Sequence, residues 1–185
     1  ASPRASDAVA AIEAGATHVT HTFNAMRPLD HRRPGVLGKV LESEELSAEI
    51  IADGVHVDPI VIELFLRCKR KEKAVLVTDA LSAAGMPDGT YRLGSFEFTV
   101  KGPRCEANGT LAGSVLSMDR AVRNIMQFAG WDLADSVRLG SLNPADVVGA
   151  DTRGRLAKGA RADVIALSPK GDVIQSFIGG VPVEA

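Results

Sequence analysis

Cysteine, net charge and long apolar runs are all scarce in this sequence, and each scarcity argues against a class of protein. The cysteines, Cys68 and Cys105, are not closely paired, which argues against a disulfide scaffold and for a reducing, cytoplasmic compartment. Lys and Arg total 21 against 23 acidic residues, so the net charge of −2 gives no reason to expect nucleic acid or a membrane as partner. No apolar run has the length of a membrane span. A small molecule is the expected partner.

Several catalytic signatures are also missing. The sequence has no Gly-rich nucleotide loop, no Ser/His/Asp nucleophile signature and no Cys-based zinc motif. It begins without Met or a signal-peptide core, so we expect a chain that is processed or cut from a longer one. At 185 residues, 45% of them hydrophobic, it can build one domain, or one domain and part of another.

What the sequence does contain is a repeated pattern of an apolar strand that ends in a polar group. The predicted strands cover residues 16–20, 47–52 and 74–78. The first is followed by His21, the second by Asp53 and His56, and the third by Asp79. In a sheet of parallel strands, ligands and catalytic groups collect where the strands end. The pattern therefore predicts a site at these three strand ends.

Helices are expected between these strands, at residues 8–14, 36–41 and 59–68. Ser6 or Asp7 is expected to cap the first helix and Gly15 to end it, whereas Asp58 caps the third. The basic run at 69–73 is interpreted as a solvated helix end, not as a nucleic-acid patch. Alternating helices and strands predict right-handed crossovers and a parallel sheet.

Beyond Asp79 the pattern changes to short alternating strands with turn signals. The pair Asn108-Gly109 favours a tight hairpin, so we expect a β-rich insertion over about residues 89–113. Further helices are expected at 118–129 and at 133–149, the latter broken at Asn143-Pro144. The remaining predicted strands cover residues 161–167 and 173–178.

Each candidate residue at the strand ends has two interpretations. His21 could ligate a metal as a neutral imidazole, although a lone His is more often structural. His18 lies three residues earlier and points to the opposite face of an extended strand, so it cannot be a co-ligand of His21 without a bulge and is interpreted as packing. Asp79 follows a buried strand, where an ionised carboxylate needs a metal, a cation or hydrogen-bond donors; its alternative role is to cap the next turn.

The loops carry weaker candidates. Asp53 and His56 bracket Gly54, a spacing that suits a loop folded around a ligand or a simple Asp-Gly turn. Arg32 and Arg33 beside His31 could hold a phosphate, though exposed loop arginines usually bind nothing. The small residues of Thr110-Leu-Ala-Gly-Ser114 would let the backbone approach a ligand, or form a plain turn.

Taken together, four motifs in this order closely resemble the N-acetylglucosamine-6-phosphate deacetylase family of the amidohydrolase superfamily. They are His21-Thr-Phe-Asn-Ala-Met26, Asp53-Gly-Val-His56, Val77-Thr-Asp-Ala80 and Thr110-Leu-Ala-Gly-Ser114. The segment from Gly154 to Leu167 resembles the superfamily's return from the barrel to a small β-sandwich. Any one motif is weak, but the ordered set is specific and covers nearly the whole chain.

The resemblance implies an α/β fold, the C-terminal part of a (β/α)8 metal-dependent hydrolase barrel. Residues 1–150 would be barrel with the β insertion, and residues 151–185 the C-terminal strands of the small β-sandwich. His21 would bind a divalent metal, usually zinc, and Asp79 would take a proton from water and return it to the leaving amine. The sugar phosphate would be held by Asn24, Ala25, Arg32, Asp53, Gly54, Val55, His56, Leu111, Ala112 and Gly113.

The similarity covers only the second half of the family. A (β/α)8 barrel takes ~250 residues, and the family's other metal ligands lie on early strands that this chain does not contain. We therefore expect a chain that needs the N-terminal half to complete the barrel and is inactive alone, with a homodimer favoured by the resemblance. The alternatives are another amidohydrolase acting on a cyclic or acyl amide, such as a dihydroorotase-like enzyme, and a non-catalytic sugar-phosphate-binding fragment.

Overall fold

Helices and strands alternate at the start of the computed structural model, which describes residues 4–184. The elements are helix α1 (Ala5–Glu13), strand β1 (His18–Val19), helix α2 (Gly35–Glu42), strand β2 (Ser47–Ile50), helix α3 (Pro59–Cys68) and strand β3 (Ala74–Leu76). The strands form one parallel sheet in the order β1-β2-β3, with His18 opposite Ser47 and Ala48 opposite Ala74. The predicted parallel α/β units are confirmed, but each strand is shorter than expected because the chain leaves the ladder before its polar end.

The main core lies between this sheet and its helices. Ala48 and Ile50 of β2 pack with Ile62 and Phe65 of α3, and all four are fully buried. Burying an Ile or Phe side chain contributes about 1.5–3 kcal/mol. Because successive strand residues point to opposite faces, Glu49 faces away from this core. The opposite face of the sheet is therefore where polar side chains gather.

Helix α1 begins earlier than the sequence indicated. Arg4, not Ser6 or Asp7, is the N-cap residue, so that prediction is wrong. The carboxylate of Asp7, three residues into the helix, accepts the Arg4 backbone N–H at 2.6 Å. An acidic residue at this position satisfies the free amide of the cap residue, as in a capping box. Gly15 follows the helix with φ +100°, as expected for a residue that ends it.

Helix α3 starts as predicted, but the basic run after it is not uniformly solvated. The Asp58 side chain accepts the Ile60 N–H at 2.8 Å, which confirms the cap. Lys69 is only 2% exposed, and its Nζ donates to the carbonyls of Val40, at 3.1 Å, and Ser43. Burial, with a smaller effect of nearby Lys73, lowers the pKa of Lys69. Through these hydrogen bonds, Lys69 connects the C-terminal end of α3 to the C-terminal end of α2.

A four-stranded antiparallel meander forms the expected β insertion. Its strands are β4 (Gly89–Leu93), β5 (Phe96–Lys101), β6 (Arg104–Ala107) and β7 (Thr110–Leu111). Asn108 and Gly109 join β6 to β7 with φ +52° and +75°, the two positive values that a type I′ turn requires. A small separate core includes Phe98, Val100 and Cys105.

Three helices follow: α4 (Met118–Ala129), α5 (Leu133–Gly140) and α6 (Leu142–Val147). The break predicted at Asn143-Pro144 instead falls at Ser141. Pro144 is tolerated inside the first turn of α6, where its missing N–H has no intrahelical partner to lose. Asn143 is buried, and its Nδ2 donates to the carbonyls of Lys71 and Ala74, both at 2.6 Å.

The last strands form a second antiparallel sheet: β8 (Val164–Leu167), β9 (Val173–Ile178) and β10 (Val181–Pro182), in the order β10-β9-β8. Ile165 lies opposite Ser176, and Val181 opposite Ile178. One face of this sheet therefore carries four apolar residues that are exposed in residues 4–184: Ile165, Ile174, Ile178 and Val181. None of the helices in the described part of the chain has the length and apolar character needed to cross a membrane.

Candidate active site

Unusual backbone conformations cluster where β1 and β3 end. Positive φ angles occur at His21 (27°), Phe23 (77°), Ala25 (56°) and Asp79 (49°). Such angles are uncommon for residues other than glycine, and strain of this kind often accompanies functional sites. Since the strands are parallel, both clusters lie at the same edge of the sheet. This edge carries the predicted site residues.

A bulge places His21 outside the regular ladder. The Ser47 N–H donates to the Thr17 carbonyl at 3.0 Å, so in a regular parallel ladder the His21 N–H would donate to the Glu49 carbonyl. The Thr22 N–H makes that bond instead, at 2.9 Å. One extra residue is therefore accommodated in this strand. The displaced His21 N–H donates to the Glu49 side chain, with Oε2 at 3.1 Å.

The Glu49 carboxylate is the centre of a network that sequence reasoning missed. Its Oε1 lies 2.8 Å from His18 Nε2, and its Oε2 accepts the Thr20 hydroxyl at 2.9 Å. His18 is therefore a polar partner of Glu49, and its interpretation as mere packing is wrong. Burial raises the pKa of Glu49, but hydrogen bonds from His18, His21 and Thr20 outweigh it, so the pKa is lowered. The alternation of residues along β2 predicts that Glu49 lies on the face away from the helices, but it does not predict which residues bond to its carboxylate.

The His21 imidazole fits a metal as one ligand. Its Nδ1 is buried and has no hydrogen-bond partner in the described structure. A neutral imidazole nitrogen is a common zinc ligand, and catalytic zinc usually takes three ligands from protein. Within residues 4–184, however, no group of three or more His, Cys, Asp or Glu side chains could hold a metal ion. The described residues thus supply one plausible ligand and not a complete centre.

The loop after His21 presents one backbone turn and one exposed guanidinium. The Asn24 N–H donates to the His21 carbonyl at 3.0 Å, while Ala25 is exposed. Asp30 Oδ1 accepts the backbone N–H groups of Arg32 and Arg33, at 2.9 and 2.8 Å. This leaves the Arg32 side chain exposed at the surface of the loop.

Asp53 organises the loop after β2 by internal bonds. Its Oδ1 accepts the N–H groups of Val55 and His56, both at 2.8 Å, and its Oδ2 lies 2.7 Å from His56 Nδ1. Burial alone raises the pKa of Asp53, but these hydrogen bonds outweigh it and the pKa is lowered. Because Nδ1 is engaged, Nε2 is the His56 atom left for a ligand. Gly54 has φ +72°, and a Cβ there would lie 3.3 Å from the Phe128 ring.

A second missed residue supports this loop from a helix. Asn124 of α4 donates its Nδ2 to the Ala52 carbonyl at 2.7 Å. Ala52 is fully buried and lies between β2 and the Asp53 loop. Its signal in the sequence was an amide side chain next to the fully buried Ile125 of α4.

Asp79 differs from expectation in one respect, because it is exposed in the part of the chain that the structure describes. Burial of the strand ends at Leu76, and the φ of +49° carries Asp79 out of the strand. Its backbone is nevertheless anchored: the Ser114 N–H donates to the Asp79 carbonyl at 2.8 Å, and the Leu81 N–H to the Ser114 carbonyl at 2.9 Å.

The same contacts bring the Leu111-Ala112-Gly113 segment beside Asp79. Gly113 has φ +81°, and a Cβ at that position would lie 3.0 Å from the Asp79 carbonyl oxygen. Fully buried Ser114 donates its hydroxyl to the Thr78 carbonyl and accepts the Leu116 N–H at 3.0 Å. Glycine suits both this φ and this close approach to the Asp79 backbone.

The chain belongs to the amidohydrolase family, whose match extends over residues 4–183. It is 44% identical to an N-acetylgalactosamine-6-phosphate deacetylase of Escherichia coli O157:H7 and 37% identical to the N-acetylglucosamine-6-phosphate deacetylase of Bacillus subtilis (strain 168). Each comparison covers 92% of this chain but 46% and 43% of the relative, so the chain spans less than half their length. A putative N-acetylgalactosamine-6-phosphate deacetylase of Escherichia coli (strain K12), also 44% identical, is covered over 96% of its length and 86% of this chain.

Solved structures agree with this assignment. The chain matches an N-acetylglucosamine-6-phosphate deacetylase from Thermotoga maritima with a TM-score of 0.93 and 34% identity, covering 98% of this chain and 50% of that one. The chain also matches an Asp-to-Ala variant of the Mycobacterium smegmatis enzyme in complex with N-acetyl-D-glucosamine-6-phosphate. That match has a TM-score of 0.91 and 37% identity, and it covers 97% of this chain and 48% of that one. The α/β units are therefore part of a (β/α)8 barrel, accompanied by a small antiparallel sheet.

Proposed function

We propose that this chain is the C-terminal part of a metal-dependent deacetylase that cleaves N-acetylglucosamine 6-phosphate to glucosamine 6-phosphate and acetate in amino-sugar catabolism. The observation that carries the proposal is the placement of His21, Asp79 and the 111–113 backbone at one edge of the parallel sheet. Active sites of (β/α)8 barrels lie at this carboxyl edge. The names of the relatives support the same substrate class.

In this proposal the exposed carboxylate of Asp79 handles the proton. It accepts a proton from the attacking water and returns it to the amide nitrogen as the bond to the acetyl carbon breaks. A divalent metal, zinc in our proposal, supplies Lewis acidity that lowers the pKa of water from ~15.7 to ~7. His21 would hold that metal, and the remaining ligands would come from the N-terminal half of the barrel.

The other predicted residues would hold the sugar phosphate. Arg32 would bind the phosphate, and His56 Nε2 a hydroxyl. The backbone of Asn24, Ala25, Gly54, Val55, Leu111, Ala112 and Gly113 would line the pocket. Asp53 would act through His56, because its carboxylate is already engaged inside the loop.

We further propose two parts to the chain, residues 1–150 in the barrel and 151–185 in a β-sandwich whose other strands cover the exposed face of β8–β10. That face carries Ile165, Ile174 and Ile178, apolar residues that a second sheet would bury. A cytoplasmic homodimer completes the proposal. The compartment is proposed from the sequence, whose two cysteines are not closely paired.

N-acetylgalactosamine 6-phosphate is the second candidate substrate, because two relatives at 44% identity carry that name. An assay of acetate release from both sugar phosphates tests the two proposals directly. It should use the 185-residue chain alone and the chain together with a polypeptide that supplies the early barrel strands. Turnover of a cyclic amide in place of either sugar would favour another amidohydrolase, and sugar-phosphate binding without turnover would favour a binding fragment.

A further inference from the structure

We propose that Glu49 is the positioning residue that fixes His21 in its bulged conformation. Its carboxylate replaces the ladder bond that the bulge removes, and thereby sets the imidazole for metal binding. The metal-binding part of this inference rests on the proposed function of His21. The positioning itself rests on the geometry of β1 and β2.

The bulge creates the need for such a residue. The Glu49 carbonyl is taken by the Thr22 N–H, so the His21 N–H has lost its regular partner. A φ of +27° at a histidine persists only when neighbouring contacts determine it. The contact observed is the Glu49 side chain, with Oε2 3.1 Å from the His21 nitrogen. Glu49 thus satisfies the amide and holds the strained residue at once.

The surroundings of the Glu49 carboxylate suit a residue that orients His21 better than one that itself reacts with substrate or binds metal. Both carboxylate oxygens are engaged, Oε1 by His18 and Oε2 by Thr20 and His21. The side chain is 19% exposed and belongs to the central strand of the sheet. Its neighbours Ala48 and Ile50 are fully buried, which makes the support rigid. The carboxylate therefore orients the backbone of His21 and leaves the imidazole free to bind.

Two substitutions of Glu49 distinguish the effect of its hydrogen bonds from the effect of its negative charge. Glu49→Gln retains an oxygen that can accept the His21 N–H, and its NH2 group can donate to His18. Glu49→Leu removes both interactions at similar volume. Asp119→Leu is a matched control, because Asp119 is a half-buried carboxylate paired with Arg123 on helix α4.

The first measurement is amide hydrogen exchange in the 185-residue chain. In Glu49→Leu we expect the His21 amide to exchange at least about tenfold faster, with the Ile50 and Leu76 amides unchanged. Glu49→Gln and Asp119→Leu should stay within about threefold of the parent chain at His21. An unchanged His21 amide in Glu49→Leu would overturn the positioning role, whatever the chain binds.

The second measurement is zinc affinity of the completed enzyme, by chelator competition, together with kcat and KM. Removing a residue that orients a metal ligand typically weakens binding about 10–100-fold, which we expect for Glu49→Leu but not for Glu49→Gln or Asp119→Leu. KM should change little. Equal losses in the Gln and Leu variants would assign Glu49 to charge or direct ligation instead. A parent enzyme without zinc-dependent deacetylation would refute the proposed function, while the exchange data would still decide the positioning.

Discussion

His56 Nδ1 lies 2.7 Å from Asp53 Oδ2, and the two side chains are 6% and 5% exposed. The same aspartate also accepts the backbone N–H of His56. A single carboxylate therefore fixes both the tautomer and the backbone of this histidine, and leaves Nε2 as its unengaged ring nitrogen. The pair links loop stability to pH.

Asp53→Asn should remove part of the pH dependence of stability. The pKa of Asp53 in the folded state lies below its ordinary value of 3.8, so the carboxylate stabilises the fold above pH 3.8 and loses this effect as the pH falls further. We expect the variant to lose roughly 1 kcal/mol at pH 6 and clearly less at pH 3, measured by urea unfolding. Asp58→Asn is the control, since Asn caps a helix as well as Asp does. Equal losses of Asp53→Asn at both pH values would contradict the prediction.

Lys69→Met tests the buried lysine. The substitution keeps the aliphatic stem but leaves the carbonyls of Val40 and Ser43 without their donor. Each unsatisfied buried group costs about 1–3 kcal/mol, so the free energy of unfolding should fall by at least that amount. Lys71→Met, which breaks the exposed pair with Asp135, should cost about 0–1 kcal/mol. Similar losses in the two variants would mean that the Lys69 bonds contribute little.

The 185-residue chain alone should lack tight, stoichiometric zinc. His21 is one ligand, whereas a catalytic zinc takes about three from protein. Metal analysis after dialysis, with and without a polypeptide carrying the early barrel strands, measures this. One zinc per chain, together with deacetylase turnover by the chain alone, would contradict the prediction.

Arg32→Ala in the completed enzyme should weaken the phosphorylated substrate selectively. Loss of a charge-assisted contact costs on the order of 1.5–3 kcal/mol, or roughly ten- to a hundredfold in kcat/KM. The unphosphorylated amino sugar should be unaffected. Arg33→Ala, from the same loop, is the matched control and should change neither substrate. If Arg32→Ala slows both substrates equally, Arg32 belongs to the fold and not to phosphate binding.

Asp79→Asn should reduce turnover by ~10²–10⁴-fold while substrate affinity survives, because the amide cannot accept a proton at neutral pH. Zinc content should stay near that of the parent enzyme if Asp79 is a base, and fall if it is a ligand. Steady-state kinetics and metal analysis on the same preparations measure both. Near-normal turnover would leave Asp79 with its backbone contacts to Ser114 only.

Features that depend on neighbouring residues in the chain could be predicted from the sequence. The cap at Asp58, the turn at Asn108-Gly109 and the order of the parallel units follow from local periodicity and turn chemistry. The ordered motifs also identified the family, now matched over residues 4–183. The roles of the individual site residues stay predictions.

The contacts that hold the strand ends became visible only in the folded chain. The bulge at His21 depends on strand register and on a carboxylate 28 residues away, and the buried bonds of Lys69 reach 29 and 26 residues back. Helix α5 is followed by a break at Ser141, and nearby Asn143 donates hydrogen bonds to carbonyls 72 and 69 residues earlier in the chain. Hydrophobic periodicity reports which face of a segment is buried, but it carries no information about which distant polar group will satisfy a displaced amide or carbonyl. That pairing exists only once the strands and helices have packed.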